Sequence, residues 1–546
     1  MRKKPPAVKP LKAVPRAKSG SDNALAEILK SLDEATLARV RESLRADLEF
    51  DGEYFDEDDP VEMFEAFLTK LALFADEAPD DEDEELLDDM VLALTQISID
   101  DNGGDPQARG ARAAIYEKLE EALAAGRLDA PGLVLIAKIF SDSGWRVPDS
   151  LKASVVETLE SAGPPAEGAS ASDIKSSLAE ITEAAEGDAF AAYDALNSVL
   201  AAFPSEAAAR MVGALGEDRA PLVLHTLAGF AMHRDGMIAN AAIGELKRAA
   251  SAGPVESALV ERLVRMRPWL PADRQGLLDE AIRALRGQAR PPLEIERPKA
   301  AKCFVLACDG SGANGALASL KASDGWRFVA ALARPSGVEE VLSLEGVSKG
   351  QVDATVRDMR ANVMAAQTDV AGVSQYLQFA LGENLASKTP PPFRLIAFVE
   401  NLGLGPVAPR VLTPTDLIEA LLDDLPANEK DAAALARAQG AAAGGALDSQ
   451  WFEAGEPIER LLGPIRGVKA RAKTVLSVYL PERRDFWLRA CALTAFVLNM
   501  DRKTYGALGK SLALVGRELA NGAPMEKIPL MRQIAEMTVR AYQSRF

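Results

Sequence analysis

Histidine, cysteine and aromatic residues are all scarce in this chain: two histidines, three cysteines and 5% Phe, Trp and Tyr in 546 residues. So few histidines leave little material for His-based metal sites or for Ser-His catalysis, which needs a positioned base. The cysteines Cys303, Cys308 and Cys491 cannot pair evenly, and the five-residue separation of the first two places both in one strand. They read as buried thiols in a reducing compartment. Long apolar runs are missing too: the best, Ala490 to Met500, falls well short of the roughly 18 residues that span a bilayer. The opening, Met1 to Lys18, is basic and proline-rich with no apolar h-region, so it is not expected to act as a secretory signal. A cytoplasmic protein without a membrane segment is the expectation.

What is abundant is alanine and leucine, within 48% hydrophobic and 26% charged residues, which favours helices over sheets. The length exceeds one ordinary core, so two or three domains are expected. The formal charge of −19 argues against general nucleic-acid binding, yet it is unevenly spread. Residues 1–20 carry seven Lys or Arg and no acid; residues 21–110 carry 28 Asp or Glu against 6 Lys or Arg; residues 457–546 carry 16 Lys or Arg against 7 acids. Solvated helix faces are the reading preferred here. The sharper alternative is that the acidic front and the basic back dock on each other or on oppositely charged partners.

Residues 1–20 cannot bury enough apolar surface to offset their ordering entropy and read as a disordered basic arm. Residues 21–163 form an acidic helical region, in which Asp80–Glu85 reads as a loop or frayed helix start and Leu86 onward as helix. The Gly/Pro/Ser/Ala stretch at 163–172 is the first internal boundary. Beyond it, Ala202-Phe203-Pro204-Ser205-Glu206 and Trp269-Leu270-Pro271-Ala272-Asp273 each place an aromatic and a proline at a turn between apolar-periodic helices. The prolines are 67 residues apart, or two units of a little over 33, the length of one helix pair in an α-solenoid. Val255, Leu259, Val260, Leu263 and Val264 fall on one helical face, as do Leu278, Ile282 and Leu285.

On these residues the segment 172–287 resembles HEAT-type helical repeats, whose hallmark is a helix ending in an apolar-Pro turn. The resemblance implies a stacked, curved surface that holds protein partners, and it brings no catalytic residue. An irregular helical bundle is the competing reading of the same pattern.

The second boundary is the proline-bearing stretch 288–302. Residues 303–345 then read as a small antiparallel β-meander: Cys303–Cys308, Ala316–Lys321 and Trp326–Leu332 are separated by Asp309-Gly310 and Asp324-Gly325 turns, with Val341–Leu344 as a further strand. Residues 346–546 form a helical C-terminal domain. Ser348 and Gln351 make a capping box there, and Thr413-Pro414-Thr415-Asp416 is a second helix start. The fold class is thus mainly α: solenoid-like in its N-terminal and middle parts, then the meander, then helices.

Gly310-Ser311-Gly312-Ala313-Asn314-Gly315 spells G-x-G-x-x-G after an apolar strand, the pattern that admits a pyrophosphate to a helix N-terminus. The following segment is too short for the crossover helix, so a glycine-rich hairpin loop is preferred and Gly310, Gly312 and Gly315 stay weak cofactor candidates. His225 and His233, eight residues apart on one helix and its end, would be roughly 12 Å apart at 1.5 Å per residue, too far to share a metal. His225 reads as packed and His233 as exposed. The stretch Arg466–Arg489 is the best nucleic-acid candidate, with Lys469, Arg471, Lys473, Arg483 and Arg484 for phosphates and Trp487 for stacking. Its competing reading is a basic helix pair over an apolar core. No catalytic residue, metal ligand or cofactor is assigned. The expectation is a non-catalytic scaffold that binds a protein partner. The alternatives are an enzymatic or ligand-binding unit on 309–315 and nucleic-acid binding through 466–489.

Overall fold

A computed structural model describes residues 59–73, 81–102, 106–126, 128–161, 185, 187–290, 298–323, 325–423, 447 and 451–544. The basic arm 1–20, the start of the acidic helical region (21–58) and the first internal boundary (163–172) lie outside the described residues. The chain divides into two compact units, 1–98 with 110–162 and 99–109 with 163–546.

The first unit is helical, with α1 (Pro60–Leu73), α2 (Asp81–Asn102), α3 (Pro106–Ala124), α4 (Ala130–Asp142) and α5 (Asp149–Ser161). Helix α2 begins inside the acidic tract, at Asp81 rather than Leu86. The core gathers Phe64, Met90, Leu94, Ile115, Phe140 and Trp145. Burying an indole demands a partner for its N–H, and Trp145 Nε1 donates to the Leu94 carbonyl at 2.7 Å. Arg112 covers the ring at 4.9 Å.

Among the described residues of the second unit, six helices precede the sheet: α6 (Ala189–Leu200), α7 (Ser205–Leu215), α8 (Pro221–Phe230), α9 (Gly236–Ala249), α10 (Ser257–Met266) and α11 (Ala272–Arg286). They pack in two rows. Helix α6 lies against α8 and α8 against α10, while α7 lies against α9 and α9 against α11. The stripes read from the sequence face inward, with Leu259, Leu263, Leu278, Ile282 and Leu285 all buried. Val255 departs from that expectation. It precedes α10 in a two-residue strand, β1 (Val255–Glu256), which pairs in parallel with β2 (Ala289–Arg290).

The five-stranded antiparallel sheet follows, with β3 (Lys299–Leu306), β4 (Asn314–Ala322), β5 (Gly325–Arg334), β6 (Gly337–Val347) and β7 (Ala365–Thr368), in the order β6-β5-β4-β3-β7. Helix α12 (Lys349–Asn362) links β6 to β7 and starts at the Ser348–Gln351 capping box. One face of the sheet joins a hydrophobic cluster that extends into the six-helix array and the C-terminal helices. The other face, with Phe304, Leu317 and Phe328, packs under Val352 and Val356 of α12.

Helices α13 (Val370–Ser387), α14 (Leu395–Asn401) and α15 (Pro414–Asp423) come next. The Thr413 hydroxyl accepts the Asp416 N–H at 3.1 Å, and Asp416 accepts from the Thr413 N–H at 2.7 Å, which closes the start of α15. The C-terminal part contains α16 (Glu456–Leu462), α17 (Val468–Thr474), a π-helical turn at Val475–Tyr479, α18 (Leu480–Glu482), α19 (Arg484–Leu498), α20 (Arg502–Ala520) and α21 (Pro529–Ser544). Helices α19 and α20 form a hairpin on which α15 rests. Among the described residues no helix is long and apolar enough to cross a membrane.

Candidate functional site

The three second-row helices of the array begin at comparable turns. Pro204 caps α7 with φ −58° and ψ 149°, and Pro271 caps α11 with φ −55° and ψ 148°. Between them Asp235 caps α9, its Oδ1 accepting the Met237 N–H at 2.8 Å. The caps at 204, 235 and 271 divide the 67-residue spacing into two near-equal steps. Adjacent turns are also bonded to each other. The Ser205 hydroxyl donates to Asp235 Oδ2, and Arg274 Nη1 donates to the His233 carbonyl at 2.6 Å. His233 Nδ1 accepts the Asp235 N–H at 3.1 Å, so this residue is partly buried in the turn, not exposed as expected. Burial drives its pKa down to about 4. Burial alone would raise the Asp235 carboxyl; the hydrogen bonds from Ser205, Met237 and Ile238 hold it below its usual value.

The first row carries the second histidine. Arg262 Nη1 is 3.2 Å from His225 Nδ1, and His225 Nε2 is 3.2 Å from Glu256 Oε2. An arginine can only donate, which places the imidazole proton on Nε2, facing Glu256. Burial, then the Arg262 charge, lowers the His225 pKa. Beside it lies a cavity of about 110 Å³ whose lining includes Arg219, Leu224, Glu256, Leu259 and Arg290. With both ring nitrogens engaged, His225 serves as a connector in a polar chain from Glu256 through Arg262 to Glu400. Among the described residues, no group of three or more His, Cys, Asp or Glu side chains is placed to hold a metal ion.

The second row carries an exposed face. Two large apolar side chains stand out on it, Met237 on α9 at 48% exposure and Leu277 on α11 at 42%. Charged pairs accompany them, among them Lys247 with Glu280 at 2.8 Å, from α9 to α11.

The glycine-rich segment joins β3 to the antiparallel β4, and no helix follows it. Asp309 organises the turn: its Oδ1 accepts from the Ser311 N–H (2.8 Å), the Ser311 hydroxyl (2.8 Å) and the Ala313 N–H (2.9 Å). The residue with positive φ is Gly312, at +91°, and not Gly310. A Cβ at Gly312 would lie 3.2 Å from the Phe486 ring, and one at Gly315, already within β4, would lie 2.7 Å from the Ala331 carbonyl. Gly312 and Gly315 are thus explained by hairpin geometry and close packing. Next to this turn Arg489 meets Glu383 with Nε–Oε1 2.7 Å and Nη2–Oε2 2.8 Å, each side chain 13% exposed. Burial pushes the Glu383 carboxyl up against the pull of Arg489. All three cysteines are free and buried, and burial raises the thiol of Cys303 to about 11 and that of Cys308 to about 12. Cys303 lies in β3, and Cys308 lies two residues beyond its end.

Of the six basic-region candidates, four are built into the interior contacts of the C-terminal helices. Trp487 is fully buried and donates through Nε1 to Glu453 Oε1 at 2.8 Å. Arg483 Nε donates to the same oxygen at 3.1 Å and lies 4.0 Å over the Phe486 ring. Arg484 donates to the carbonyls of Leu519 and Ala523 at the end of α20, at 3.0 and 2.9 Å. Arg471 donates to the Ile465 carbonyl at 2.8 Å and covers Tyr542. Lys469 and Lys473 are exposed on α17. The stacking surface expected of Trp487 is therefore inside the fold. The buried acceptor Glu453 was not among the sequence candidates, since nothing local marks it.

An array of paired helices, an antiparallel sheet and a helical C-terminal part define the class of protein. Two segments of it match protein-family models: residues 204–289 the Y4lR second domain, and residues 415–543 the Y4lR C-terminal helical domain. The first match runs from the Pro204 turn to β2, and the second covers α15 to α21 except at their ends. No match was found among curated proteins or among solved structures.

Proposed function

We propose that this chain is a non-catalytic interaction protein, and that its six-helix array is a HEAT-like repeat whose second-row face holds a protein partner. The observation that carries this reading is the packing order. Each helix of a pair lies on the corresponding helix of the next pair, with caps at 204, 235 and 271, which is how repeat architectures extend a surface one unit at a time. The exposed Met237 and Leu277 supply apolar anchors on that face, and the charged pairs around them supply a polar rim. We place the protein in the cytoplasm, in keeping with its three free, buried thiols.

A photo-crosslinking amino acid at Met237 or Leu277 of the full chain, expressed in its source cells, tests the reading. A discrete crosslinked polypeptide at both positions, missing when the same group stands at the exposed Leu92, is the expected result. Crosslinking no stronger at the array than at Leu92 would overturn it.

A further inference from the structure

The cavity beside His225 is built from parts of the chain that only the fold brings together. Arg219 comes from the turn between α7 and α8, Leu224 from α8, Glu256 from β1, Leu259 from α10 and Arg290 from β2. The parallel pairing of β1 with β2, which sets Glu256 opposite Arg290, brings the second arginine to this space.

Neither arginine is committed at short range to another side chain. Arg219 Nη2 lies 3.7 Å from Glu245 Oε2, and its Nη1 lies 3.5 Å from the Glu245 carbonyl, both long for a charge-assisted hydrogen bond. Glu245 also has a second counter-charge in Arg248. Arg290 is exposed and has no ion-pair partner among the described residues. Glu256, the one acid of the lining, is already engaged by the His225 ring at 3.2 Å. Two arginines thus face one carboxylate that already has a partner, and the balance favours a ligand with one negative charge.

The remaining wall is apolar, with Leu224, Val255 and Leu259 all buried. An inorganic oxyanion would turn oxygens toward these side chains, which donate nothing to them. An aliphatic group suits them. A volume of about 110 Å³ is below the about 300–1,000 Å³ of drug-sized sites and holds roughly four groups the size of a water at about 30 Å³ each. That is the tail of a short acid, with its carboxylate left at the edge where Arg290 is exposed.

We propose that this cavity binds a small monocarboxylic acid with a short aliphatic tail. The carboxylate meets the guanidinium groups of Arg219 and Arg290, and the tail lies against Leu224 and Leu259. Arginine supplies the planar donor fork that a carboxylate matches. The site belongs to the first row and β2, apart from Met237 and Leu277 on the second row.

The test is calorimetric titration of the full chain at low salt with isovalerate. Isoamylamine, which has the same tail on a cation, and inorganic phosphate, which has no tail, are titrated beside it. Two protein variants complete the set: Arg290→Gln, at an exposed position, and Arg210→Gln on α7, which removes an exposed arginine outside the cavity. Saturable binding of isovalerate is expected, at least tenfold tighter than that of either comparator. It should weaken at least tenfold in Arg290→Gln, at an unchanged thermal midpoint, and by less than twofold in Arg210→Gln. Absence of saturable isovalerate binding, binding of isoamylamine or phosphate as tight as that of isovalerate, or equal losses in the two variants would overturn the proposal.

Discussion

Arg262 and Glu400 meet in a two-point ion pair, Nε–Oε1 3.1 Å and Nη2–Oε2 2.9 Å, although 138 residues separate them in sequence. The guanidinium also donates toward His225 and lies 4.9 Å over the Phe190 ring. One side chain thereby joins α6, α8 and α10 of the array to α14, beyond the sheet. Around it the packing is tight: a Cβ at Gly229 would approach Phe393 to 2.8 Å. Removing one partner of such a partly buried pair leaves the other without compensation. Arg262→Ala and Glu400→Gln are each expected to destabilise the second unit by about 2 kcal/mol. A double-mutant cycle read by urea denaturation should give a coupling of about 1 kcal/mol or more. Strictly additive effects would show that the pair is incidental.

Acidification provides a second prediction. His233 is held at about 4 in the folded chain and returns to its ordinary value near 6.5 when unfolded. Between those values the unfolded state binds the extra proton, so stability falls as pH drops from about 6.5 toward 4 and the contribution levels off below. His225, also lowered, acts in the same direction. The slope from one such group is at most about 1.4 kcal/mol per pH unit. His233→Gln should flatten the pH dependence of the thermal midpoint in that window; an unchanged profile would contradict the buried, neutral imidazole.

Gly312→Ala addresses the glycine-rich turn. An alanine at φ +91°, 3.2 Å from Phe486, should cost about 1–3 kcal/mol in stability. Calorimetric titration with nicotinamide and adenine dinucleotides should give no saturable heat for either the wild type or the variant. Micromolar binding lost in the variant would instead make the turn a cofactor loop.

In the basic region, stability and anion binding should separate. Glu453→Gln removes the charge that Arg483 and Trp487 share, with an expected loss of about 1–3 kcal/mol. Lys469→Ala/Lys473→Ala should leave stability within about 0.5 kcal/mol, because both are exposed. Any low-salt affinity for DNA should fall in the lysine pair and not in Glu453→Gln; the opposite pattern would return Arg483 and Trp487 to a binding role.

Features stated by short stretches of sequence were legible. The Ser348–Gln351 box, the Thr413-Pro414 helix start and the Pro204 and Pro271 turns depend on residues a few positions apart, and each stands where local chemistry put it. The meander's strands could be read from their apolar runs. Strand β7, four residues long, could not: its pairing with β3 is specified by a partner about sixty positions earlier. The two-residue strand containing Val255 was hidden because an apolar residue two positions before a helix fits the helical stripe equally well. Glu453, Glu383 and Glu400 are ordinary surface residues by type; tertiary contact alone makes Glu453 a buried acceptor and Glu383 and Glu400 partly buried ones.

The interaction surface itself is tested most directly by hydrogen exchange on the full chain, alone and bound to the polypeptide captured through Met237 or Leu277. Slower exchange on binding, concentrated in α7, α9 and α11, is the expected result. Protection confined to other elements, or no protection anywhere, would contradict a partner surface on the second row of the array.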